Sequence, residues 1–528
     1  MLLLQAAALA IGALWRRSPR AMLALPAPQA ARWGGLVVAF AYAVFAGWAV
    51  PAQRTVWMLA AVVVLRTVGW QWPQLLVLLA AGTVVVVADP WALLQPGFWL
   101  SFAAVALLMA AEPGRDAQDA ARARPGAWWS RLVAAMHGGL RTQLVATLGL
   151  APLTLLFFQQ VSLVGFFANL VAIPLITLLV TPLALAGCLL PPLWTLAAAL
   201  LQPLFAWLQW LARLPAALWF VPVAPGWAQA AALGCAWLVL PRGFPGRIAA
   251  VALLLPLLAT PPQRPPLGHY ELVAVDVGQG TAVLVRTREH LLVYDAGPQY
   301  SRESDAGQRV LLPLLRARGE RAIDRLVLSH RDLDHVGGAP ALLAALPVHA
   351  LSSSLAADHP LAALAPHQPC AAGQTWVWDG VRFEFLHPPE RALEAAARPN
   401  TVSCVLRIAA AGAPTTLLTG DIEREQELRL AGRFGDALRA EVLLVPHHGS
   451  RTSSASLFLD AVKPRIAVVQ AGYRNRFGHP AAEVAERYRA LDVAWLVSPA
   501  CGAWQWRSDE SEPGRCQREI ARRYWHRE

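Results

Sequence analysis

The stretch from Ser329 to Gly338, which reads SHRDLDHVGG, holds most of the residues whose chemistry stands out. Two histidines and two aspartates fall within six positions, namely His330, Asp332, Asp334 and His335. They directly follow the apolar run Leu-Val-Leu, so the cluster lies where a buried strand gives way to a helix. A loop there can direct several side chains to one point, and imidazoles with carboxylates suit divalent zinc, manganese or iron. Gly337 and Gly338 allow close approach of the backbone.

A metal site needs further ligands from other strands, and three later segments end in suitable residues. These are Asp421 in LLTGD, His447 and His448 in LLVPHHGS, and His479 in RFGHP. Taken singly, an aspartate at a strand end is most often a helix cap, and a lone histidine is most often a surface residue. Together with the first cluster they predict a divalent-metal centre, in which Asp421 is placed to bridge two ions.

The second half of the chain alternates strand-like runs with helical patterns. Strands are predicted at 271–280, 281–287, 290–297, 324–330, 381–388, 401–409, 415–421, 441–448 and 465–472. Helices are predicted near 308–318, 338–346, 422–433, 454–461 and 480–490. Because polar residues follow the strands, we expect an α/β layered domain with its site on one rim.

Apolar stretches dominate the first 260 residues. The whole chain is 56% hydrophobic and only 15% charged, with a mean hydropathy of +0.42, which excludes a wholly soluble or disordered protein. The stretches predict eight to ten membrane spans, some of them partial or re-entrant, and the runs 161–190 and 192–220 could each fold back. Pro174 and Pro182 fit either a pathway through the bilayer or ordinary kinked helices.

The positive charge belongs to the apolar half. Residues 1–267 hold 15 arginines and four acidic residues, which account for the whole net charge of +11, whereas the remainder balances 30 basic against 30 acidic residues. Basic membrane loops explain this better than a soluble nucleic-acid-binding domain. Arginines near 16–32 and at 242 and 247 indicate cytoplasmic loops, which would leave the C-terminal domain outside.

The composition changes at a proline-rich run, PPQRPP, at 261–266. The sequence therefore predicts a membrane domain at 1–260, a linker at 261–267 and a second domain at 268–528. The six cysteines form no CxxC pair, so neither a disulfide framework nor a cysteine-rich zinc module is expected. A single Cys501–Cys516 bridge is an option if the C-terminal domain faces an oxidising compartment.

Residues 268–528 resemble the metallo-β-lactamase fold family, whose usual signature is HxHxDH. The resemblance implies an αββα sandwich after a polytopic α-helical membrane domain. Asp332 stands at the usual second histidine, and 400–403 lies where many members carry a further histidine. A ligand set richer in oxygen favours harder ions such as manganese or magnesium. We expect one or two divalent ions, manganese or zinc.

The finer resemblance is to the ComEC family of competence proteins. In the second half it rests on DVGQG (276–280), YDAG (294–297), the 329–338 cluster, LTGD (418–421) and PHHGS (446–450). In the first half it rests on VPAQRT (50–55), DP (89–90), GFWLSF (97–102) and NLVAIP (169–174). Thr281 replaces an aspartate frequent in the family, and the family's N-terminal domain and first membrane helices have no counterpart.

The resemblance implies an inner-membrane channel that takes up single-stranded DNA during natural transformation. Its C-terminal hydrolase domain, on the periplasmic side, would be a nuclease for the strand that is not transported. Besides single-stranded DNA and the lipid bilayer, the resemblance implies a DNA-delivery protein and a cytoplasmic ATPase as partners. The sequence has no P-loop, so any energy from ATP would come from elsewhere.

Each candidate site residue has an expected role on this basis. The expected metal ligands are His330, Asp332, Asp334, His335, Asp421 and His479. The expected catalytic residues are Asp334, His448 and His447. Ser450 and Arg54 are expected to bind substrate, and Asp276, Asp295, Gly337 and Gly338 to support the site.

Several alternatives remain open on the sequence alone. The second domain could hydrolyse a small ester or cyclic phosphate, with the first half as its anchor, or it could be a degenerate domain that only binds DNA or gates the pore. Ser450, Ser453 and Ser454 could instead cap the following helix. Arg54 could be an interfacial arginine and Asp89 a helix cap.

Overall fold

The computed structural model describes residues 2–70, 72–111, 128–214, 217–239, 251–258, 260–390, 398–524 and 526. The chain divides into two compact units, Met1–Thr260 and Pro261–Glu528. Arg242 and Arg247, on which part of the predicted orientation rests, lie outside the described residues.

The first unit is helical. Its helices are Leu2–Trp15, Pro19–Ala24, Ala27–Phe45, Val50–Thr67, Gln74–Ala88, Pro96–Ala111, Trp128–Phe158, Gly165–Leu175, Thr181–Gly187, Pro192–Ala212, Gly226–Val239 and Leu255–Leu258. Short 3₁₀ turns occupy Pro90–Leu94 and Val251–Leu254.

Three helical segments of the described chain are long and apolar enough to cross a membrane: Met136–Phe158, Gly165–Gly187 and Pro192–Ala212. Gln74–Ala88 and Pro96–Ala110 are apolar but shorter. The apolar stretches thus outnumber the full-length spans, because turns and prolines divide many of them into pieces below about 20 residues.

The run 161–190 does not fold back, which corrects one of our expectations. Gly165–Leu175 continues through a π-helical turn, Ile176–Val180, into Thr181–Gly187. Pro174 and Pro182 flank this turn, and because a proline has no N–H group, the regular hydrogen-bond ladder is interrupted there. After Pro192–Ala212 the chain does return, since β2 (Leu218–Phe220) pairs antiparallel with β1 (Gln160–Ser162).

The second unit contains two large sheets. The strands of the first sheet are, in spatial order, β10 (His367–Pro369), β9 (Leu351–Ser353), β8 (Arg325–Leu328), β5 (Leu291–Tyr294), β4 (Val283–Arg286), β3 (Glu271–Ala274), β18 (Trp504–Arg507) and β19 (Arg515–Cys516). Those of the second are β11 (Thr375–Trp378), β12 (Val381–His387), β13 (Val405–Ala410), β14 (Thr416–Leu418), β15 (Val442–Leu444), β16 (Ile466–Val469) and β17 (Ala494–Val497). A small hairpin joins β6 (Gln299–Ser301) to β7 (Ser304–Asp305).

Helices cover the outer face of each sheet. The described helices are Leu312–Ala317, Leu333–Val336, Ala339–Ala345, Arg424–Phe434, Ser456–Val462, Ala482–Ala490, Ser498–Cys501 and Gln517–Ile520, with a π turn at Gly307–Leu311.

Three hydrophobic clusters hold these layers together. The central cluster joins the facing sides of the two sheets and includes Leu272, Val285, Phe383 and Leu406. A second cluster packs helices against the outer face of the first sheet, and a third does the same for the second sheet. The order of layers is therefore helix, sheet, sheet, helix, which is the metallo-β-lactamase fold that the sequence predicted.

Two disulfides brace this unit, where the sequence predicted no framework and at most one bridge. Cys501 and Cys516 are joined, as that option foresaw, and Cys370 is joined to Cys404. The second pairing was missed because its partners are 34 residues apart and meet only when the two sheets stack. Cys188 and Cys235, in the helical unit, are not bridged.

Candidate metal centre

The loop after β8 supplies the first group of candidate ligands. His330 and His335 are fully buried, whereas the side chains of Asp332 and Asp334 are 46% and 31% exposed. The Nδ1 atom of His335 lies 2.7 Å from Oδ2 of Asp295. Asp295 also accepts hydrogen bonds from the backbone N and the Oγ of Ser329, at 2.6 and 2.8 Å. These contacts fix the His335 ring so that its Nε2 atom faces the second sheet.

Two glycines let this loop lie against its neighbours. A Cβ atom on Gly337 would clash with the backbone of Gln299, and one on Gly338 would clash with the backbone of Ala296. The loop is therefore held by direct contact between peptide groups, which no larger residue permits.

The second sheet brings Asp421, His447 and His448 to the same rim, because β14 and β15 are parallel and end side by side. Asp421 follows β14 and is almost completely buried. His447 and His448 follow β15 with φ values of 52° and 55°. Such left-handed conformations cost about 1–3 kcal/mol in a residue with a side chain and are found mainly at functional sites.

The candidate ligand atoms lie at coordination spacing. His335 Nε2 is 3.2 Å from Asp421 Oδ1, while His448 Nε2 is 3.3 Å from Asp334 Oδ2 and 3.5 Å from Asp421 Oδ2. Ligands about 2.1 Å from a tetrahedral ion are about 3.4 Å from one another. Asp334, His335 and His448 form one group whose ligand atoms all lie within 4.8 Å, and Asp421 borders it.

The buried polar atoms of this cluster have no hydrogen-bond partner among the described residues. They are Nε2 of His330, His335 and His448, and Oδ1 of Asp421. Burying such atoms without a partner is costly, so it is rare unless an ion or water completes them. Since they come from both sheets and converge on one point, the donor set fits a divalent cation.

A second group shares the cluster. His330, His335 and Asp421 also place ligand atoms within 4.8 Å of one another. His330 Nε2 is 4.0 Å from Asp421 Oδ2 and 3.5 Å from Asp332 Oδ2. The exposed Asp332 is thus the looser member of this group. The geometry therefore offers two overlapping sets of donors that share His335, and the second of them has the exposed Asp332 at its edge.

His447 and His479 lie at the margin of the cluster. His447 Nε2 is 3.7 Å from Asp421 Oδ2, and its Nδ1 faces Glu423 Oε1 at 3.5 Å and Thr452 Oγ1 at 3.3 Å. The ring centre of His479 is 5.7 Å from that of His447 and 6.3 Å from that of His448. His479 therefore lies beside the cluster and not within either compact ligand group.

Burial and the neighbouring charges shift the pKa values of these side chains in opposite directions. Burial would lower the pKa of His335, but the carboxylates of Asp421 and Asp295 raise it well above its ordinary value. The pKa of His448 is raised likewise against its burial, by Asp421 and Asp334. The pKa of Asp334 falls to about 2, since the contacts with His448 and His335 outweigh its burial. The cluster thus keeps Asp334 and Asp421 charged, and its histidines hold protons that a metal ion would displace.

The remaining predicted site residues lie elsewhere. Asp276 pairs with Arg518 at 2.9 Å and does not contact the cluster. Ser450 Oγ faces Thr452 Oγ1 at 3.2 Å in the turn that holds His447 and His448. Arg54 belongs to the helical unit, where it is buried and its Nη2 donates to Gln95 Oε1 at 3.4 Å.

The structure shows which of the residues considered as helix caps have that role. Asp89 does cap a short helix, because its Oδ1 accepts from the backbone N of Trp91 at 3.1 Å. The serines do not cap Ser456–Val462, which was one of our expectations; its N-cap residue is Ala455. The Glu427 carboxylate instead accepts from the N atoms of Ser454 and Ala455, at 2.6 and 2.7 Å.

Sequence reasoning named Asp295 as a supporting residue but missed two others that orient the ligands, Ser403 and Gln470. Ser403 Oγ lies 3.4 Å from His330 Nδ1 and accepts from the backbone N of Asp421. Nδ1 of His448 donates to the carbonyl of Gln470 at 2.7 Å, and the Gln470 side chain donates to carbonyls of the first sheet. Ser403 had only one signal, its place in the segment where a histidine was expected.

Two family models match the chain. Residues 2–243 match the model described as Competence protein, and residues 275–473 match that of the Metallo-beta-lactamase superfamily. Competence protein ComA of Neisseria gonorrhoeae is 37% identical over 488 residues, which cover 89% of this chain and 64% of that protein. The two matched segments give the chain the domain organisation that its resemblance to ComEC-type proteins implied.

Two other relatives align with the chain over a similar length. The uncharacterized protein YcaI of Escherichia coli K12 is 32% identical over 496 residues, covering 89% of this chain and 60% of that protein. ComE operon protein 3 of Bacillus subtilis 168 is 26% identical over 467 residues, covering 80% and 57%. The chain thus spans about three fifths of the length of the curated relatives it matches.

Proposed function

We propose that this protein forms an inner-membrane channel for single-stranded DNA during natural transformation, and that its second unit is a metal-dependent phosphodiesterase that degrades the strand left outside. The observation that carries the hydrolase part is the convergence of unpartnered Nε2 atoms of His330, His335 and His448 on Asp421 and Asp334. The match of residues 2–243 to the Competence protein model and the similarity to ComA support the uptake part.

We assign the resident ion to Asp334, His335, His448 and Asp421. This set joins two carboxylates to two imidazoles that are held from behind by Asp295 and by the carbonyl of Gln470. His330 and Asp332 would hold a second, weaker ion with Asp421. A divalent ion bound there would act as a Lewis acid on the phosphodiester. The mixed oxygen and nitrogen donors favour manganese or zinc.

His447 is our candidate for proton transfer. It is partly exposed, whereas His448 is buried, with Nδ1 on the carbonyl of Gln470 and Nε2 among the candidate ligand atoms. Glu423 and Thr452 face Nδ1 of His447, which leaves Nε2 directed toward the cluster. A side chain so placed can exchange a proton with a substrate oxygen and then with solvent. Ser450 supports the turn and is assigned no contact with substrate.

The two disulfides support a periplasmic place for this unit. Structural disulfides persist in oxidising compartments and are rare in the cytosol. Cys370–Cys404 and Cys501–Cys516 both lie in the second unit, and the cysteines of the helical unit are unbridged. Accessibility of tagged loops to membrane-impermeant reagents in intact cells tests this orientation.

Arg54 is the residue of the helical unit that we assign to the DNA path. Its guanidinium is buried beside Gln95 and Gly97, and its Nε atom has no hydrogen-bond partner among the described residues. A buried cation among apolar helices is costly, and it commonly marks a pathway or binding site. Arg54→Gln should lower transformation frequency, whereas Arg66→Gln, at an exposed position of the same helix, should not.

A nuclease assay separates this proposal from its alternatives. The full chain, purified in detergent, is given labelled linear DNA with Mn²⁺, Zn²⁺ or EDTA. We expect metal-dependent cleavage that Asp334→Ala abolishes and Asp460→Ala, at an exposed position, preserves. Hydrolysis of a small ester without DNA cleavage would favour the anchored hydrolase, and DNA binding without turnover would favour a degenerate domain.

The uptake part has its own test in cells. Deletion of the gene should abolish transformation while DNA still binds at the cell surface. Normal transformation by the deletion strain would contradict the proposal.

A further inference from the structure

One exposed loop beside the metal centre combines aromatic and basic residues in a way that the proposed chemistry leaves unused. Residues 472–479 read GYRNRFGH. Tyr473 and Phe477 are each 53% exposed, and Arg474 and Arg476 are exposed as well. The Arg474 guanidinium lies 5.4 Å from the centre of the Tyr473 ring, and that of Arg476 lies 4.8 Å from the Phe477 ring.

The loop is held in a defined shape in spite of its exposure. Asn475 Nδ2 donates to the carbonyls of Gly472 and His479, at 2.9 and 2.6 Å. Asn475 Oδ1 accepts from the backbone N atoms of Phe477 and His479. The backbone N of Gly472 donates to Gln279 Oε1 at 3.0 Å, which ties the loop to the first sheet. The exposed rings are therefore presented by a closed, internally bonded loop.

A line of rings leads from this loop to the candidate ligands. Phe477 stacks on His479, with centres 5.7 Å apart and planes inclined by 24°. His479 in turn lies 6.3 Å from His448, with planes inclined by 22°. A planar group stacked on Phe477 would thus lie two rings away from a metal ligand.

The loop's arginines supply positive charge near an acidic centre. Among the residues that the structure describes, neither Arg474 nor Arg476 pairs with a carboxylate. Exposed aromatic rings stack with nucleobases whatever their sequence, and neighbouring arginines bind the phosphates between them. An apolar partner would make no use of two unpaired guanidinium groups, and a polyanion without bases would make no use of the rings.

The opposite side of the centre also carries arginines. In the second sheet β13 and β16 flank β14 and β15, whose ends carry the candidate ligands. The loop 472–479 follows β16, whereas Arg398 precedes β13 and lines a cleft with Arg331, Ser354 and His359. A strand that lay on the loop and crossed the metal centre would continue into this cleft.

We propose that loop 472–479 is a docking platform for single-stranded DNA, in which a base stacks on Phe477 and the adjoining phosphates bind Arg474 and Arg476. The platform holds the chain so that a neighbouring phosphodiester lies over the metal centre. This inference rests on the proposed function for the identity of the strand, but it concerns binding and does not require turnover.

Equilibrium binding in the presence of EDTA tests the platform. The full chain in detergent is titrated against a fluorescent 20-nucleotide single strand, and anisotropy is recorded at several salt concentrations. Phe477→Ala should weaken binding about tenfold, and Phe477→Trp should restore it, because the Trp ring still stacks. The double variant Arg474→Gln/Arg476→Gln should reduce the slope of log K against log salt by about 0.7 for each phosphate that is no longer neutralised.

A matched control is available in the same unit. The Arg433 guanidinium lies 5.1 Å from the centre of the Phe434 ring. It lies in the last turn of helix Arg424–Phe434, whereas the rim with the candidate ligands is at the first turn of that helix. Arg433→Gln should leave affinity and salt slope unchanged. Thermal unfolding of each variant checks that the exposed substitutions leave the fold intact.

The outcomes separate this inference from the proposed nuclease. Unchanged affinity in the Phe477 and arginine variants overturns the platform, even if the wild-type chain cleaves DNA. Weaker binding by these variants supports the platform, even if no cleavage is ever seen. Equal affinity for duplex and single strand also overturns it, because the bases of a duplex are already stacked and cannot reach Phe477.

Discussion

The Nδ1 atom of His335 lies 2.7 Å from Oδ2 of Asp295, and both side chains are completely buried. This hydrogen bond determines which ring nitrogen of His335 faces the cluster. A carboxylate behind a ligating histidine fixes its tautomer and increases its basicity, and removal of such a partner commonly weakens metal binding by about 10- to 100-fold.

We therefore expect Asp295→Asn to weaken binding of Mn²⁺ or Zn²⁺ by about 10- to 100-fold. Calorimetric titration of the EDTA-stripped full chain measures this. Asp276→Asn is the matched control, because Asp276 pairs with Arg518 and does not touch the cluster. Equal affinities for the two variants would contradict a positioning role for Asp295.

The two ligand groups predict unequal binding of two ions. Asp421 belongs to one group and borders the other, whereas Asp332 is exposed and, among the described residues, its carboxylate faces His330. Asp421→Ala should remove both ions, with a larger decrease in affinity than the Asp295 variant shows. Asp332→Ala should remove only the weaker ion. Elemental analysis of the purified full chain gives the number of ions per chain, and an equal decrease in both variants would argue against unequal sites.

The Cys370–Cys404 disulfide should contribute more to stability than the Cys501–Cys516 disulfide, since it closes a longer loop. The chain-entropy model assigns about 4 kcal/mol to the first and about 3 kcal/mol to the second. Replacing each pair by alanines and following hydrogen exchange of β13 and β15 measures the destabilisation within this unit. A smaller destabilisation for the Cys370 pair than for the Cys501 pair would contradict this ranking.

Burial raises the pKa of Glu427 to about 7, from an ordinary value of 4.5, despite two backbone hydrogen bonds that oppose the shift. Between these values the folded state binds more protons than the unfolded state. The free energy of unfolding should therefore fall as the pH rises from about 4.5 to 7, by at most about 3 kcal/mol.

Hydrogen exchange measured between about pH 4.5 and 7, and corrected for the intrinsic exchange rate, gives the pH dependence of the free energy of unfolding. Glu427→Gln removes the titrating group, so its stability should change less with pH over the same range. A variant profile that parallels the wild-type profile would show that another group is responsible.

The layered fold could be predicted because its central strands have strong local signals. All nine predicted strands are present, although each is shorter than its apolar run, as β14 (Thr416–Leu418) illustrates. The strands β9, β10, β11, β17, β18 and β19 of the two large sheets were missed, of which β10, β11, β17 and β19 are edge strands. Each is at most four residues long, so its local signal in the sequence is weak.

The candidate site was predictable as far as its donors are concerned. His330 and Asp421 follow strand ends, and His335 lies in the short helix after β8, so each interrupts an apolar pattern with a polar residue. Two of the orienting residues, Ser403 and Gln470, had no such signal, because they act through contacts that form only when the two sheets stack. The same reason hid the Cys370–Cys404 pair.

Because Gly337 and Gly338 pack against other peptide groups, the position of the loop and its affinity for an ion depend on different atoms. The position of the ligand-bearing loop depends on backbone atoms, whereas the affinity for the ion depends on the side chains that the loop carries. A donor such as Asp332, which stands where the usual signature has a histidine, can consequently differ between proteins without a change in the position of the loop. Substitution of the ligand residues can therefore change which ion the centre prefers while the fold stays the same, provided that both glycines are retained.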